Sequence, residues 1–217
     1  MFRQDQKKLF LFALYLTSMV LVNTLGSKIT TLGSVRASVG VFFMPILFLV
    51  TDIIGEVYGR KTSAQFVNLS TIMLVFMFLM VGLCIILPAN ETWNLQESYA
   101  IIFGSSMRMT FASLCSFFIA QHIDVFTFSL IKKMTKEKHL WIRNNVSTII
   151  SQLFDTTIFM FITFYRMTDR YTFSFIWSLI IPYWAFKVLF ALIDTPLCYL
   201  GVWWLRKEDK VQPEVVG

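Results

Sequence analysis

Two side-chain pairs in this sequence could do chemistry where chemistry is costly. Gln121 stands three residues before Asp124, and Gln152 three before Asp155. Three residues apart on a helix means one face, so each pair sets an amide beside a carboxylate. Each pair interrupts a long apolar run, Phe111–Ile131 and Val146–Tyr165. An ionised carboxylate inside a lipid-spanning helix costs roughly 3 kcal/mol and by default marks a functional site. A carboxylate accepts two parallel N–H donors, and an amide both donates and accepts along a planar edge. Together they match an edge like that of guanine, with its ring N–H, exocyclic amine and carbonyl. The same groups suit another planar cation or a proton, and the spacing does not choose between them.

Further polar residues fall within apolar runs: Asn23, Asp52, Glu56, Lys187 and Asp194. At about 1.5 Å per residue, Asp52 and Asp124 lie roughly 12 Å from the flanking basic residues Arg60 and Lys132. Asp155 and Asp194 lie roughly 18 Å from Arg143 and Arg206. Four carboxylates on four helices thus share similar depths, and one common cavity is the cheapest way to solvate them. Lys187 and Asp194 are two turns apart on one face, so Lys187 either neutralises a carboxylate to hold the bundle or couples to a ligand. Glu56 is only about 6 Å from a span end, where solvation is the simpler account. Asn23, near the other end of the first run, serves an interhelical hydrogen bond or binding. Pro45 and Pro196 sit beside these groups and predict kinks in the second and sixth spans.

The elements that position these groups follow from composition. The 217 residues are 56% hydrophobic and 15% charged, with mean hydropathy +0.65, which excludes an ordinary soluble domain. Six runs are long enough to cross a bilayer: Leu9–Leu25, Val39–Tyr58, Phe66–Leu87, Arg108–Ile131, Val146–Tyr165 and Phe175–Leu205. The expected fold is an all-α integral membrane protein of six transmembrane helices. It forms one domain over residues 1–210, with a disordered tail over 211–217. The first run follows Arg3, Lys7 and Lys8 as in a signal peptide, but it is longer than a signal core and lacks a small-x-small cleavage site. It reads as an uncleaved span.

Basic residues set the orientation. With the N-terminus cytoplasmic, thirteen Lys and Arg fall on the inner side and five on the outer, and the bias alternates at every loop. Both termini are therefore expected in the cytoplasm. The basic connector Lys132–Arg143 is inside, and the outer loop Pro88–Ser106 carries Glu91 and Glu97 without a basic residue. The net charge of +6 is thus a topology signal; no basic helix or basic-aromatic motif points to nucleic acid. Cys84, Cys115 and Cys198 all lie in apolar runs, an odd number without metal-ligand spacing. There is no phosphate loop, no His-Glu-x-x-His and no Gly-x-Ser-x-Gly. His122, beside Gln121, has no nucleophile to serve and reads as a packing residue. No enzyme activity, metal or cofactor is expected.

Several short blocks resemble a known family. They are Thr51-Asp52; Ala112-Ser113 through Phe118 to Gln121 and Asp124-Val125-Phe126; Trp141 through Ser147-Thr148, Gln152, Asp155-Thr156 and Phe159; and Lys187 before Asp194-Thr195-Pro196. The combination is similar to the queuosine precursor transporters, also called the vitamin uptake transporter family. The resemblance implies uptake of a 7-deazaguanine base across the bacterial cytoplasmic membrane, as the nitrile or aminomethyl precursor or as queuine. It also implies a compact six-helix fold similar to the substrate-binding components of energy-coupling-factor transporters. The residues expected to bind are Gln121, Asp124, Gln152 and Asp155 at the purine-like edge, with Asp52, Asp194 and Asn23 lining the cavity and Lys187 balancing charge. The partners expected are a small planar substrate and the lipid bilayer. Two alternatives stay open: a binding component docking on a separate ATP-driven module, and a carrier of another vitamin-like molecule. Whether the chain forms a homo-oligomer is equally open.

Overall fold

The computed structural model describes residues 3–33, 35–135, 140–193 and 195–207. Seven α-helices occupy most of it: α1 (Gln4–Leu25), α2 (Met44–Tyr58), α3 (Arg60–Ile86), α4 (Gln96–Met134), α5 (Leu140–Phe164), α6 (Phe173–Ile193) and α7 (Thr195–Arg206). Six segments are long and apolar enough to cross a membrane, namely Gln4–Leu25, Val39–Tyr58, Lys61–Ile86, Gln96–Ala120, Val146–Phe164 and Phe173–Phe190. Each overlaps one of the six runs expected, although the fourth lies toward the N-terminal side of the expected Arg108–Ile131. The continuous hydrogen bonding of a helix is what lets such segments enter lipid, since no water is there to satisfy a free N–H or C=O.

Two departures from the expectation have physical causes. The fold is not purely helical: β1 (Ile29–Leu32) and β2 (Val35–Ser38) form an antiparallel hairpin between α1 and α2, in the register Ile29 to Ser38 and Thr31 to Arg36. Gly33, at φ +61°, supplies the left-handed residue that a tight hairpin turn needs. Ser38 fixes the hairpin to the end of α1, its Oγ donating to the Gly26 carbonyl at 2.5 Å and accepting the Gly40 N–H at 3.1 Å. Second, Pro45 does not kink a span. It falls at the start of α2, just after a short 3-10 turn at Val39–Phe42, where its missing N–H would be unpaired in any case. The expected run Phe175–Leu205 is described as α6 up to Ile193 and as α7 from Thr195, and Asp194 between them lies outside the described residues. Pro182 lies inside α6. In addition, α4 begins at Gln96, so about half of the expected loop Pro88–Ser106 is helix.

Gly59 connects α2 to α3 as a single residue. Its φ of +85° and ψ of +165° lie where side chains clash, so only glycine reverses the chain so abruptly.

The buried side chains form two apolar clusters. One joins α4, α5 and α6 through Met109, Ala112, Phe159, Met160, Phe164, Ile176, Ile180 and Tyr183, with Val41 from the 3-10 turn. The other joins α1, α2, α3 and α7 through Leu11, Tyr15, Val50, Ile53, Ile54, Phe66, Val202 and Leu205. Polar staples tie the helix ends together. Arg108 on α4 donates from Nε to the Ile162 carbonyl and from Nη2 to the Tyr165 carbonyl, both at 2.6 Å, closing the end of α5. Ser106 on α4 reaches the Thr24 carbonyl of α1 at 2.9 Å. By contrast α3 packs little, and Leu69, Ile72, Phe76, Leu79, Leu83 and Ile86 are exposed, as a lipid-facing helix requires.

Candidate binding site

A cavity of about 340 Å³ lies where elements of the two clusters meet. α1, α2 and α3 contribute Tyr15, Leu47, Phe48, Thr51 and Val67. α4, α5 and α6 contribute Phe117, Ala120, Thr148, Ser151, Gln152, Asp155 and Lys187. Small-molecule sites run from ~300 to ~1,000 Å³ and combine apolar walls with a few placed polar groups, which is the composition found here.

The polar groups are concentrated on one stripe of α5. Thr148, Ser151, Gln152 and Asp155 recur at i, i+3, i+4 and i+7, the period of a helix face. Between them stand the apolar Ile149, Ile150, Leu153 and Phe154, so the stripe borders the cavity while these meet neighbours or lipid. Opposite, Lys187 of α6 donates from Nζ to Asp155 Oδ2 at 2.8 Å. Lys187 is 5% exposed and Asp155 22%, so the ammonium is sealed in protein while the carboxylate opens on the cavity. The Lys187 ammonium also lies 5.6 Å from the centre of the Tyr183 ring. A buried ion tolerates lipid depth only when paired and hydrogen-bonded, and this pair meets that demand. Gln152 Oε1 is buried without a partner among the described residues. Buried polar atoms of Asn23, Ser70, Thr156, Thr163 and Tyr183 are likewise without a partner among the described residues.

Of the positions expected to bind, the structure therefore brings together Gln152, Asp155 and Lys187. The side chains of Gln121 and Asp124, and all of Asp194, lie outside the described residues; Ala120, beside Gln121, is on the cavity wall. Asp52 is exposed and is not on that wall, although its neighbour Thr51 is. Asn23 is buried away from the cavity wall and donates to the Met19 carbonyl of its own helix at 2.9 Å. Glu56 is exposed and 4.0 Å from Arg206, the solvated role expected of it. His122 packs on Phe118 and lies 2.8 Å from that residue's carbonyl. Sequence reasoning passed over Thr148 and Ser151, though the polar period around Gln152 held the signal. It also left open which aromatic side chains face the site; Tyr15, Phe48 and Phe117 do. Among the described residues, no group of His, Cys, Asp and Glu could hold a metal ion.

Residues 38–201 match the model of a family described as “Putative vitamin uptake transporter”. That range holds the cavity wall apart from Tyr15 and covers most of the chain. The chain belongs to this family. It is therefore a transporter and not an enzyme, and a multi-pass protein of the bacterial membrane. It is 31% identical over 176 residues to a Bacillus subtilis (strain 168) protein named “Probable queuosine precursor transporter”, covering 79% of this chain and 74% of that relative. It is 20% identical over 154 residues to the “Queuosine precursor transporter” of Escherichia coli (strain K12), covering 71% of this chain and 67% of that relative. No solved structure is significantly similar to it.

Proposed function

We propose that this chain carries a queuosine precursor, a base of the 7-deazaguanine type in its nitrile, aminomethyl or queuine form, into the cytoplasm through the cavity between the two helix clusters. The observation that carries this reading is the Asp155–Lys187 ion pair at membrane depth, with its carboxylate open to a cavity sized for a small molecule. Bundle stability alone does not require such a pair, since an apolar pair of similar volume packs at least as well. The names of the relatives support the substrate class. In this reading Gln152 and Asp155 face the polar edge of the base, Tyr15, Phe48 and Phe117 cover its faces, and Lys187 holds the charge balance. Gln121, Asp124 and Asp194 complete the candidate set. The two clusters rock about the cavity, with the last span a candidate mover. Both termini face the cytoplasm.

The test is uptake of radiolabelled 7-cyano-7-deazaguanine by cells lacking endogenous synthesis and uptake, with this chain as the only addition. Uptake that disappears in Asp155→Asn, with the variant still in the membrane, is the expected result. Undiminished uptake in that variant removes Asp155 from the site. Purified chain in proteoliposomes separates a self-sufficient carrier, which accumulates or equilibrates label, from a binding component that needs an energising module and binds without turnover.

A further inference from the structure

We propose that the seam where Gly26 of the α1 end rests on Met109 of α4 is a gate of the carrier, and that the structure is the state in which this gate is shut. The proposal rests on the carrier reading above and adds to it the surfaces that must part. With both termini in the cytoplasm, the hairpin end is the outer one and this is the outer gate.

The cavity does not reach the hairpin end. On its wall, Tyr15, Phe117 and Asp155 lie roughly 12–15 Å along their helices from Leu25, Met109 and Phe164, which mark that end. An apolar plug fills the interval. Val41 from the 3-10 turn shares one buried cluster with Met109, Ala112 and Phe159, and Ile29, Ala37 and Met44 pack against it. Met44 borders both the plug and the cavity. Side chains packed to the density of a protein interior leave no passage for a planar ring. A ligand arriving from the hairpin end therefore reaches Asp155 only if the plug parts.

The line of parting follows from which contacts tie elements into units. Arg108 of α4 donates to two carbonyls at the end of α5, so α4 and α5 move together. Ser38 donates to the Gly26 carbonyl and accepts the Gly40 N–H, so the hairpin and the 3-10 turn move with α1. Lys7 joins α1 in turn to the end of α7. Lighter ties cross between these two units. The Ser106 hydroxyl donates to the Thr24 carbonyl at 2.9 Å, and the Arg36 guanidinium lies 5.3 Å from the Phe175 ring. Gly26 is buried, and a Cβ there would overlap the Met109 side chain, so the end of α1 meets α4 as bare backbone on a thioether. Bare backbone interlocks with nothing, and an unbranched thioether repacks more readily than a branched side chain. The seam is thus where the units separate most easily. On the far side of α4, Gln96 donates to the Ile85 carbonyl of α3, next to the loop that joins the two helices, which makes that side the hinge.

The full chain with Cys84, Cys115 and Cys198 replaced by alanine carries the test. Thr24→Cys and Ser106→Cys are introduced together and bridged across the seam by a short, membrane-permeant bis-methanethiosulfonate, which acts whichever face is outer. Uptake of labelled 7-cyano-7-deazaguanine is expected to be lost on bridging and to return when the bridge is reduced. Each single variant, which the reagent cannot bridge, keeps the uptake it had before treatment. Undiminished uptake by the bridged protein overturns the gate and leaves the carrier reading in place. A second measurement serves where the double variant fails to fold. Val41→Cys places a thiol inside the plug, and a small charged methanethiosulfonate is added to the face at which Glu91→Cys reacts. Reaction of the Val41→Cys thiol in the native protein is expected, because the plug opens during turnover. A thiol that reacts only after denaturation marks a static core and overturns the gate. If the unsubstituted chain takes up no precursor, the carrier reading falls, and the Val41→Cys reaction alone decides whether the seam opens.

Discussion

The Lys7 ammonium donates to the Lys207 carbonyl at 2.7 Å, joining the first turns of α1 to the last residue described after α7. The same nitrogen reaches the Trp204 carbonyl at 3.2 Å and lies 5.6 Å from the Trp204 ring. Helix ends leave carbonyls without partners, and a cation there also meets the negative end of the helix dipole. Lys7 is almost wholly buried in this role. Lys7→Met is expected to cost about 1–3 kcal/mol, read as a lower unfolding temperature in detergent or nanodiscs. A variant as stable as the parent would show that water serves those carbonyls equally well.

Gly201 brings α7 against α2. A Cβ at this position would overlap the side chain of Ile53, which is itself buried. Gly201→Ala is expected to destabilise by about 1–3 kcal/mol through overpacking. Pairing it with Ile53→Val, which removes the nearest methyl, should recover part of that loss. A double-mutant cycle on thermal stability measures the coupling; strict additivity would mean that the helices separate rather than repack.

Breaking the ion pair from one side should be worse than removing it whole. Asp155→Asn leaves the buried Lys187 ammonium without a counter-charge, a loss of roughly 3–5 kcal/mol. The double variant Asp155→Asn with Lys187→Met removes both charges and should regain most of the stability, but not the uptake. Stability by chemical denaturation and uptake of labelled precursor then part company. Recovery of both together would reduce the pair to architecture.

Orientation is open to a direct measurement. In a chain with Cys84, Cys115 and Cys198 replaced by alanine, Glu91→Cys should react with a membrane-impermeant thiol reagent added to intact cells. Lys61→Cys should react only after permeabilisation. Reversed labelling would place both termini outside.

Span number and approximate position were legible because they depend on a one-dimensional quantity, the length of an apolar run against the thickness of the bilayer. The hairpin was less legible. Ile29, Thr30, Thr31 and Val35 around Gly33 do carry a strand signal, but the segment between two spans is short and reads as a plain loop when runs are counted. The extra length of α4 was hidden because Gln96–Ser106 mixes polar and apolar residues, and hydropathy alone does not separate such a helix from a loop. Pro45 was found and misjudged: it opens α2, and only the position of the helix start tells a first-turn proline from a kink.

The site was legible in part for a similar reason. Gln152, Asp155 and Lys187 stood out by the cost of polar groups in lipid, which needs no coordinates. That Lys187 meets Asp155, 32 residues away on another helix, needs the packing of α5 on α6. Depth alone also suggested that Asp52 would converge with Asp155, but depth says nothing about rotation about the helix axis. Asp52 is one residue from the position that faces the cavity, and one residue is about 100° of turn.

The 39 residues of α4 make a rod about 58 Å long, nearly twice the roughly 30 Å of hydrocarbon it must cross. A rod that overhangs its support is a lever. Swinging it by about 10° around its middle displaces either tip by about 5 Å, while the residues at mid-length, where Phe117 borders the cavity, hardly translate. Small angular changes beside the ligand would thus be magnified into large excursions at both membrane faces.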